Sequence, residues 1–320
     1  MQKKSLKFKL KLYALSLLII LLILLGVASA FLVNYALAKK GDGKNRNVKT
    51  NIVSINNKDN YKEQKELTKE FLNTNKEKEA EITSNDNLKL RGYYFENKSD
   101  KWVILLHGYR TNHTHNYDYA QKYFENKYNI LNPDLRASGN SEGNYVGMGF
   151  LEKNDILLWI NWIIDKNPNA EIILHGMSMG AATTMMVAGE NTPKQVKLFI
   201  EDSGYTSAWD IFSSELKLRF NLPQFPIMYT SNLFSGIMAG YKFSDASAID
   251  AVKKSSKPIL FIHGDKDDFV PFEMMNKLYE AKTNGVKDKF VSKGAGHTKS
   301  IYISNREYWN KVFDFIEKNN

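Results

Sequence analysis

The first third of the chain separates into three textures. Leu12 to Ala38, LYALSLLIILLILLGVASAFLVNYALA, is apolar at almost every position and carries no charge. As a helix it is long enough to cross about 30 Å of hydrocarbon. Residues 39–79 are polar and rich in Lys, Asn and Glu. They read as a tether whose second half, Tyr61 to Lys78, forms a solvated helix with Glu/Lys neighbours. From about residue 80 short apolar runs alternate with amphipathic stretches. EITSNDNLKLRGYYFE predicts a hairpin around Asn85-Asp86-Asn87. WVILLHG, YNILNPD, EIILHG, VKLFIED, PILFIHG and DKFVSKGAGH predict strands, and YDYAQKYFENK, LEKNDILLWINWIID and REYWNKVFDFIEK predict helices between and after them. Near-continuous apolar strands separated by helices imply a mostly parallel sheet covered on both faces.

Two irregularities stand out in this pattern. Three strands end in the same pair, His107-Gly108, His175-Gly176 and His263-Gly264, and in open α/β sheets the functional crevice lies beyond the carboxyl ends of the strands. The distance from Asp202 to Pro258 is too long for an ordinary connection. Its apolar residues, among them Trp209, Phe212, Phe220, Phe225, Met228, Phe234 and Met238, predict a helical cap at about 205–256, most of them serving the cap's own packing. The expected divisions are therefore a basic N-terminus (1–11), a transmembrane segment (12–38), a tether (39–79) and an α/β domain (80–320) with its cap at about 205–256.

Composition changes this picture little. The chain has 320 residues, 43% hydrophobic, enough for a large core. The net charge of +9 suggests nucleic acid until it is located. Lys3, Lys4, Lys7, Lys9, Lys11, Lys39, Lys40, Lys44, Arg46 and Lys49 stand against Asp42 alone, which accounts for the whole excess and leaves the remainder formally neutral. A nucleic-acid footprint is thus missing from the part that folds. The lysines instead flank the apolar segment, so the expected partner is a lipid bilayer. A cleaved signal peptide ending at Ala28-Ser29-Ala30 is the competing reading. The uncleaved anchor is preferred because the apolar run continues through Phe31, Leu32, Val33 and Leu37. Basic residues lie on both sides, so charge does not fix the orientation; the expectation is an exported domain in the cell membrane, or a secreted one after cleavage. There is no cysteine.

Candidate chemistry centres on Gly176-Met177-Ser178-Met179-Gly180, a G-x-S-x-G sequence between a strand and a helix. Such a junction exposes the hydroxyl under backbone strain, and the N–H of Met179 at the helix start faces developing negative charge. An activated serine needs a base, and the base an orienting acid. Of the histidines downstream, His263 belongs to a strand-end pair, whereas His297 follows the glycine-rich VSKGAG loop and is the expected base. For the acid, Asp265, Asp267 and Asp268 remain open on position alone. His113-Thr114-His115 lacks a convincing third ligand for zinc. Neither G-x-x-x-x-G-K-[ST] nor G-x-G-x-x-G occurs, so no cofactor and no metal are expected.

Residues 80–320 resemble serine hydrolases of the α/β-hydrolase superfamily, in particular membrane-anchored bacterial hydrolases related to the BEM46 and BAAT-type esterase/thioesterase groups. LLHGYRTN, NPDLRASGNSEG, HGMSMGAAT, EDSGYTS, HGDKDDFVPF and GAGH carry the likeness in the expected order. The resemblance implies an α/β-hydrolase fold and selects Asp267, the acid of G-x-x-D-x-x-V-P. It also implies the N–H of Tyr109 as the second oxyanion donor. Asp202 is a lesser candidate, since some relatives place the acid after that strand, and Asp134 and Arg136 fall in a structural loop. The implied reaction is cleavage of an ester or thioester of a small-molecule acyl substrate through Ser178, His297 and Asp267. A peptidase or amidase, and a noncatalytic binding protein tethered to the membrane, are the alternatives.

Overall fold

The computed structural model describes residues 2–39 and 58–320. Eight strands, β1 (Lys78–Thr83), β2 (Lys89–Phe95), β3 (Lys101–Leu106), β4 (Asn129–Pro133), β5 (Glu171–Met177), β6 (Val196–Asp202), β7 (Ile259–Gly264) and β8 (Lys287–Ser292), form one sheet in the order β1-β2-β4-β3-β5-β6-β7-β8. β1 and β2 are the expected hairpin, and β2 runs antiparallel to β4. All later pairings are parallel.

Helices cover both faces. In chain order they are α1 (Gln2–Leu37), α2 (Lys58–Thr74), α3 (Tyr117–Glu125), α4 (Glu152–Lys166), α5 (Met179–Ala188), α6 (Ala208–Phe220), α7 (Ile227–Ala239), α8 (Ala248–Lys254), α9 (Glu273–Ala281), α10 (Ser300–Ile303) and α11 (Asn305–Asn319). Side chains alternate along β3: Ile104 and Leu106 join one buried cluster with Trp159 and Met185, whereas Val103 and Leu105 join the other with Tyr123 and Trp309. A strand buried on both sides has no polar face to show, which is why these runs are continuously apolar.

The polar region differs from its expected form. Residues 40–57 of the predicted tether lie outside the described residues, but residues 58–74 form α2, which is held to the body. Thr68 Oγ1 donates to Asp118 Oδ1 at 2.8 Å, Lys65 Nζ lies 2.6 Å from Asp118 Oδ2, and Phe71 packs at 4.7 Å from the Phe95 ring. The helix predicted from Tyr61 to Lys78 is thus displaced toward the N-terminus and is not wholly solvated.

α1 contains 32 residues, Leu6–Leu37, long and apolar enough to cross a membrane by length and composition. Every residue from Leu6 to Leu24 is exposed, whereas Ser29, Val33 and Leu37, one stripe at a spacing of four, are buried. That stripe docks on the body. Ser29 Oγ and Thr230 Oγ1 on α7 are 2.6 Å apart, Val146 N–H donates to the Leu37 carbonyl at 2.8 Å, and Ala38 bridges Tyr145.

Between β6 and β7 lie α6, α7 and α8, but α8 packs on α5 and α9 and so belongs to the body. The helical excursion is therefore α6 and α7, closed by left-handed residues at Asn221 (φ 50°) and Gly240 (φ 78°). Its apolar side chains do not all point inward. Met228 is buried, but Phe220 and Phe225 face outward.

Candidate active site

Ser178 sits between the end of β5 and the start of α5 with φ 56° and ψ −116°, a backbone conformation that costs energy in any residue with a side chain. Neighbouring glycines make it possible. A Cβ on Gly176 would stand 2.1 Å from the Gly180 carbonyl oxygen, and one on Gly180 would stand 2.0 Å from that of Leu106. The Ser178 N–H is satisfied by the Asp202 carbonyl at 2.8 Å. The hydroxyl is therefore presented at the carboxyl edge of the central strands.

Around it the structure gathers residues from distant parts of the chain. His297 Nε2 is 2.8 Å from Ser178 Oγ, and His297 Nδ1 is 2.7 Å from Asp267 Oδ2. Asp267 Oδ1 accepts from the N–H groups of Phe269 at 3.0 Å and Val270 at 2.8 Å, which fixes the carboxylate plane. With Nδ1–H donated to Asp267, Nε2 is left to accept the serine proton. Burial alone would raise the Asp267 carboxyl, but hydrogen bonds from His263 and His297 outweigh it and hold the group well below its ordinary range. The close packing of Gly264 brings the histidine loop to the strand end, since a Cβ there would meet the Ala295 carbonyl oxygen at 2.2 Å.

The other carboxylates named from the sequence fall elsewhere. Asp265 Oδ1 accepts from the Gly294 N–H at 2.6 Å, and Asp268 is exposed. Asp202 is buried, with Oδ2 accepting from Tyr308 at 2.9 Å and Oδ1 from Ser203 at 2.9 Å. Burial raises its carboxyl above the usual value. Asp134 accepts from His113 Nδ1 at 2.8 Å and the Asn140 N–H at 2.8 Å, and Arg136 pairs with Asp155 and Asp86.

The three strand-end histidines have three different settings. His107 is fixed between the Gly108 carbonyl (Nδ1, 2.8 Å) and the Leu135 N–H (Nε2, 3.0 Å), and burial pushes it down to about 4. His175 bridges the hydroxyls of Tyr123 and Tyr308, each at 3.0 Å, in the core. His263 is different, because its Nε2, which donates to the Val270 carbonyl at 3.0 Å, also lies 3.2 Å from Asp267 Oδ2. Burial would lower its affinity for a proton, but Asp267 prevails and raises it. Membership of the repeated strand-end pair masks this setting of His263. The available signal was its spacing of four from Asp267 across a tight turn.

The expected oxyanion donors lie close by. Met179 opens α5, where the first N–H groups have no intrahelical acceptor. Tyr109 follows Gly108, whose Cβ position is 3.4 Å from Ser178 Cβ and 3.8 Å from its Oγ, so the backbone there passes beside the hydroxyl. This loop is also tied to α1, a contact that no local pattern announces. Tyr109 Oη donates to the Ala36 carbonyl and Arg110 Nη2 to that of Tyr35.

Comparison with known proteins agrees with the topology. A model of the alpha/beta hydrolase fold matches residues 101–229. The uncharacterized protein YqkD of Bacillus subtilis (strain 168) is 28% identical over 234 residues, covering 72% of this chain and 76% of YqkD. Human protein ABHD12B is 24% identical over 193 residues, 58% of this chain and 51% of its own length. Among solved structures, the esterase Pf2001 of Pyrococcus furiosus superposes with a TM-score of 0.64 at 26% identity, covering 80% of this chain and 93% of the esterase. Strand order, the strained serine junction and these likenesses identify the chain as a protein of the α/β-hydrolase fold.

Proposed function

We propose that the protein is a serine hydrolase acting on a carboxylic ester or thioester. The observation that carries this reading is the continuous hydrogen-bonded line from Ser178 Oγ through His297 to Asp267, at 2.8 and 2.7 Å. The Ser178 proton passes to His297 Nε2 as Oγ bonds to the substrate carbonyl carbon. The N–H groups of Met179 and Tyr109 stabilise the resulting oxyanion, and each such donor is worth about 3 kcal/mol. His297 returns the proton to the departing alkoxide or thiolate, leaving an acyl-enzyme. A water, deprotonated by the same nitrogen, then attacks the acyl carbon and releases the acid and the serine. No step calls for a metal or cofactor.

The likeness to an esterase supports the ester over the peptide bond. The buried stripe on α1 supports an uncleaved anchor, because Ser29 lies inside a docked helix and not in the extended form a signal protease requires. Reaction of the full chain with a fluorophosphonate, followed by intact mass, tests the assignment. One adduct on the wild type and none on Ser178→Ala is expected. An unreacted, folded wild type would remove the hydrolase reading.

A further inference from the structure

α7 is apolar on its outward face as well as its inner one. Its buried side carries Met228, Ser231 and Ser235, while Tyr229, Leu233 and Ile237, four residues apart along one face, are 59%, 56% and 72% exposed. The preceding connection adds Leu222 and Phe225, also exposed. Residues 221–241 contain no charge, and Lys217, Arg219 and Lys242 bracket them. A patch of this kind on a water-facing cap has no counterpart among the described residues to cover it.

α1 determines what covers it. Counted from Leu12, the first residue beyond Lys11, a helix traverses about 30 Å of hydrocarbon by roughly Phe31. α7 runs antiparallel to α1 inside that interval: Thr230 meets Ser29, and Phe234 packs where Gly26 has no side chain. Leu22, Ile23, Gly26, Ala30 and Phe234 line an apolar groove of about 500 Å³ between the two helices. If α1 crosses a bilayer, the outward face of α7 beside it is in the same medium. At the outer end of that interval Tyr35 meets Phe220 edge-on at 6.5 Å, and the Arg110 guanidinium lies 5.8 Å from the Tyr35 ring centre, an aromatic and basic girdle of the kind found at lipid headgroups.

We infer that α7 and the α6–α7 connection are immersed in lipid beside α1, and that the site takes its ester from the bilayer as a long-chain acyl lipid. The immersion follows from α1 and α7 alone. The substrate class rests on the hydrolase reading above, with the loop beside Ser178 held to the end of α1 through Tyr109 and Arg110, so that the rim lies where α1 leaves the hydrocarbon.

The absence of cysteine makes a direct test simple. Ile237→Cys and, as an exposed control on α11, Glu317→Cys are labelled with a nitrobenzoxadiazole dye in the full chain and reconstituted into phosphatidylcholine/phosphatidylglycerol vesicles. At Ile237 quenching by nitroxide-bearing lipid and protection from aqueous iodide are expected, and the reverse at Glu317. Iodide quenching equal at both positions, or protection from both quenchers as a covering protein would give, overturns the immersion. In parallel, Leu233→Ser/Ile237→Ser is expected to hydrolyse a vesicle-borne monoacylglycerol about tenfold more slowly than wild type while p-nitrophenyl acetate turnover stays within about twofold. Equal effects on the two esters overturn the lipid substrate. A wild type inactive on both, with nitroxide quenching intact, removes the hydrolase reading and the substrate class together while the lipid contact stands.

Discussion

His263 Nε2 lies 3.2 Å from Asp267 Oδ2, the same oxygen that holds His297 Nδ1 at 2.7 Å. One carboxylate is thus shared by two imidazoles, and the second draws on charge that would otherwise support the first. In His263→Phe the whole carboxylate faces His297. The acid limb of the pH–rate profile for p-nitrophenyl butyrate then moves to higher pH, with kcat lowered about tenfold by the loss of orientation. An unmoved acid limb would mean that His263 only fills space.

Asp267 and Asp202 are separable by charge-neutral replacement. Asp267→Asn keeps the shape but presents an amide to His297 and disturbs its tautomer, and kcat falls by about 10³–10⁴-fold. Asp202→Asn perturbs bonds to Tyr308 and Ser203 that do not reach the imidazole. It lowers thermal stability by about 1–2 kcal/mol with kcat within about threefold. A large kcat loss at Asp202 would reverse the assignment.

Much of this site is written locally. The two glycines around Ser178 are required by contacts of 2.1 and 2.0 Å to backbone oxygens, so the junction is visible in five adjacent residues. Among Asp265, Asp267 and Asp268, by contrast, position alone leaves the choice open; the likeness to G-x-x-D-x-x-V-P selects Asp267, and the turn is what points that carboxylate at His297. The docking of α2 through Thr68 and Phe71 was unreadable because a few contacts in a lysine- and glutamate-rich helix do not register as an apolar face. The outward apolar face of α7 was hidden for a related reason: apolar content says that a side chain avoids water, not which neighbour it finds instead.

Gly180→Ala tests the local part. Its methyl would collide with the Leu106 carbonyl, which belongs to a central strand and has nowhere to move. A loss of about 3 kcal/mol or more in urea unfolding of the full chain, or failure to accumulate, is expected. Gly294→Ala, at a positive φ but with open space around its Cβ position, costs only about 1 kcal/mol.

Glu201 provides a pH signature. Burial raises its carboxyl from 4.5 to about 8. Below about pH 4.5 folded and unfolded chains both hold the proton and the contribution to the slope vanishes. Between there and about 8 only the folded chain holds it, so stability falls as pH rises, by at most about 1.4 kcal/mol per unit. Glu201→Gln, which can still accept the Gly204 N–H, should flatten that decline when urea midpoints are compared at pH 5 and pH 8.

Tyr109→Phe removes the hydroxyl that reaches the Ala36 carbonyl. Loosening the loop beside Ser178 lowers kcat for p-nitrophenyl butyrate about fivefold with KM little changed. The same kcat as wild type would show that the tie to α1 does not set the position of the proposed donor.

The join at the end of α1 also bears on how the molecule is held. Lys39 N–H donates to Asn144 at 2.7 Å, and α2, which resumes at Lys58, is fastened to α3. α1 and α2 are thus each fixed to one body, α1 through its last turn and α2 through its side chains. The heading of the rim relative to the axis of α1 is therefore set by direct contact, main chain included, between the last turns of α1 and the body.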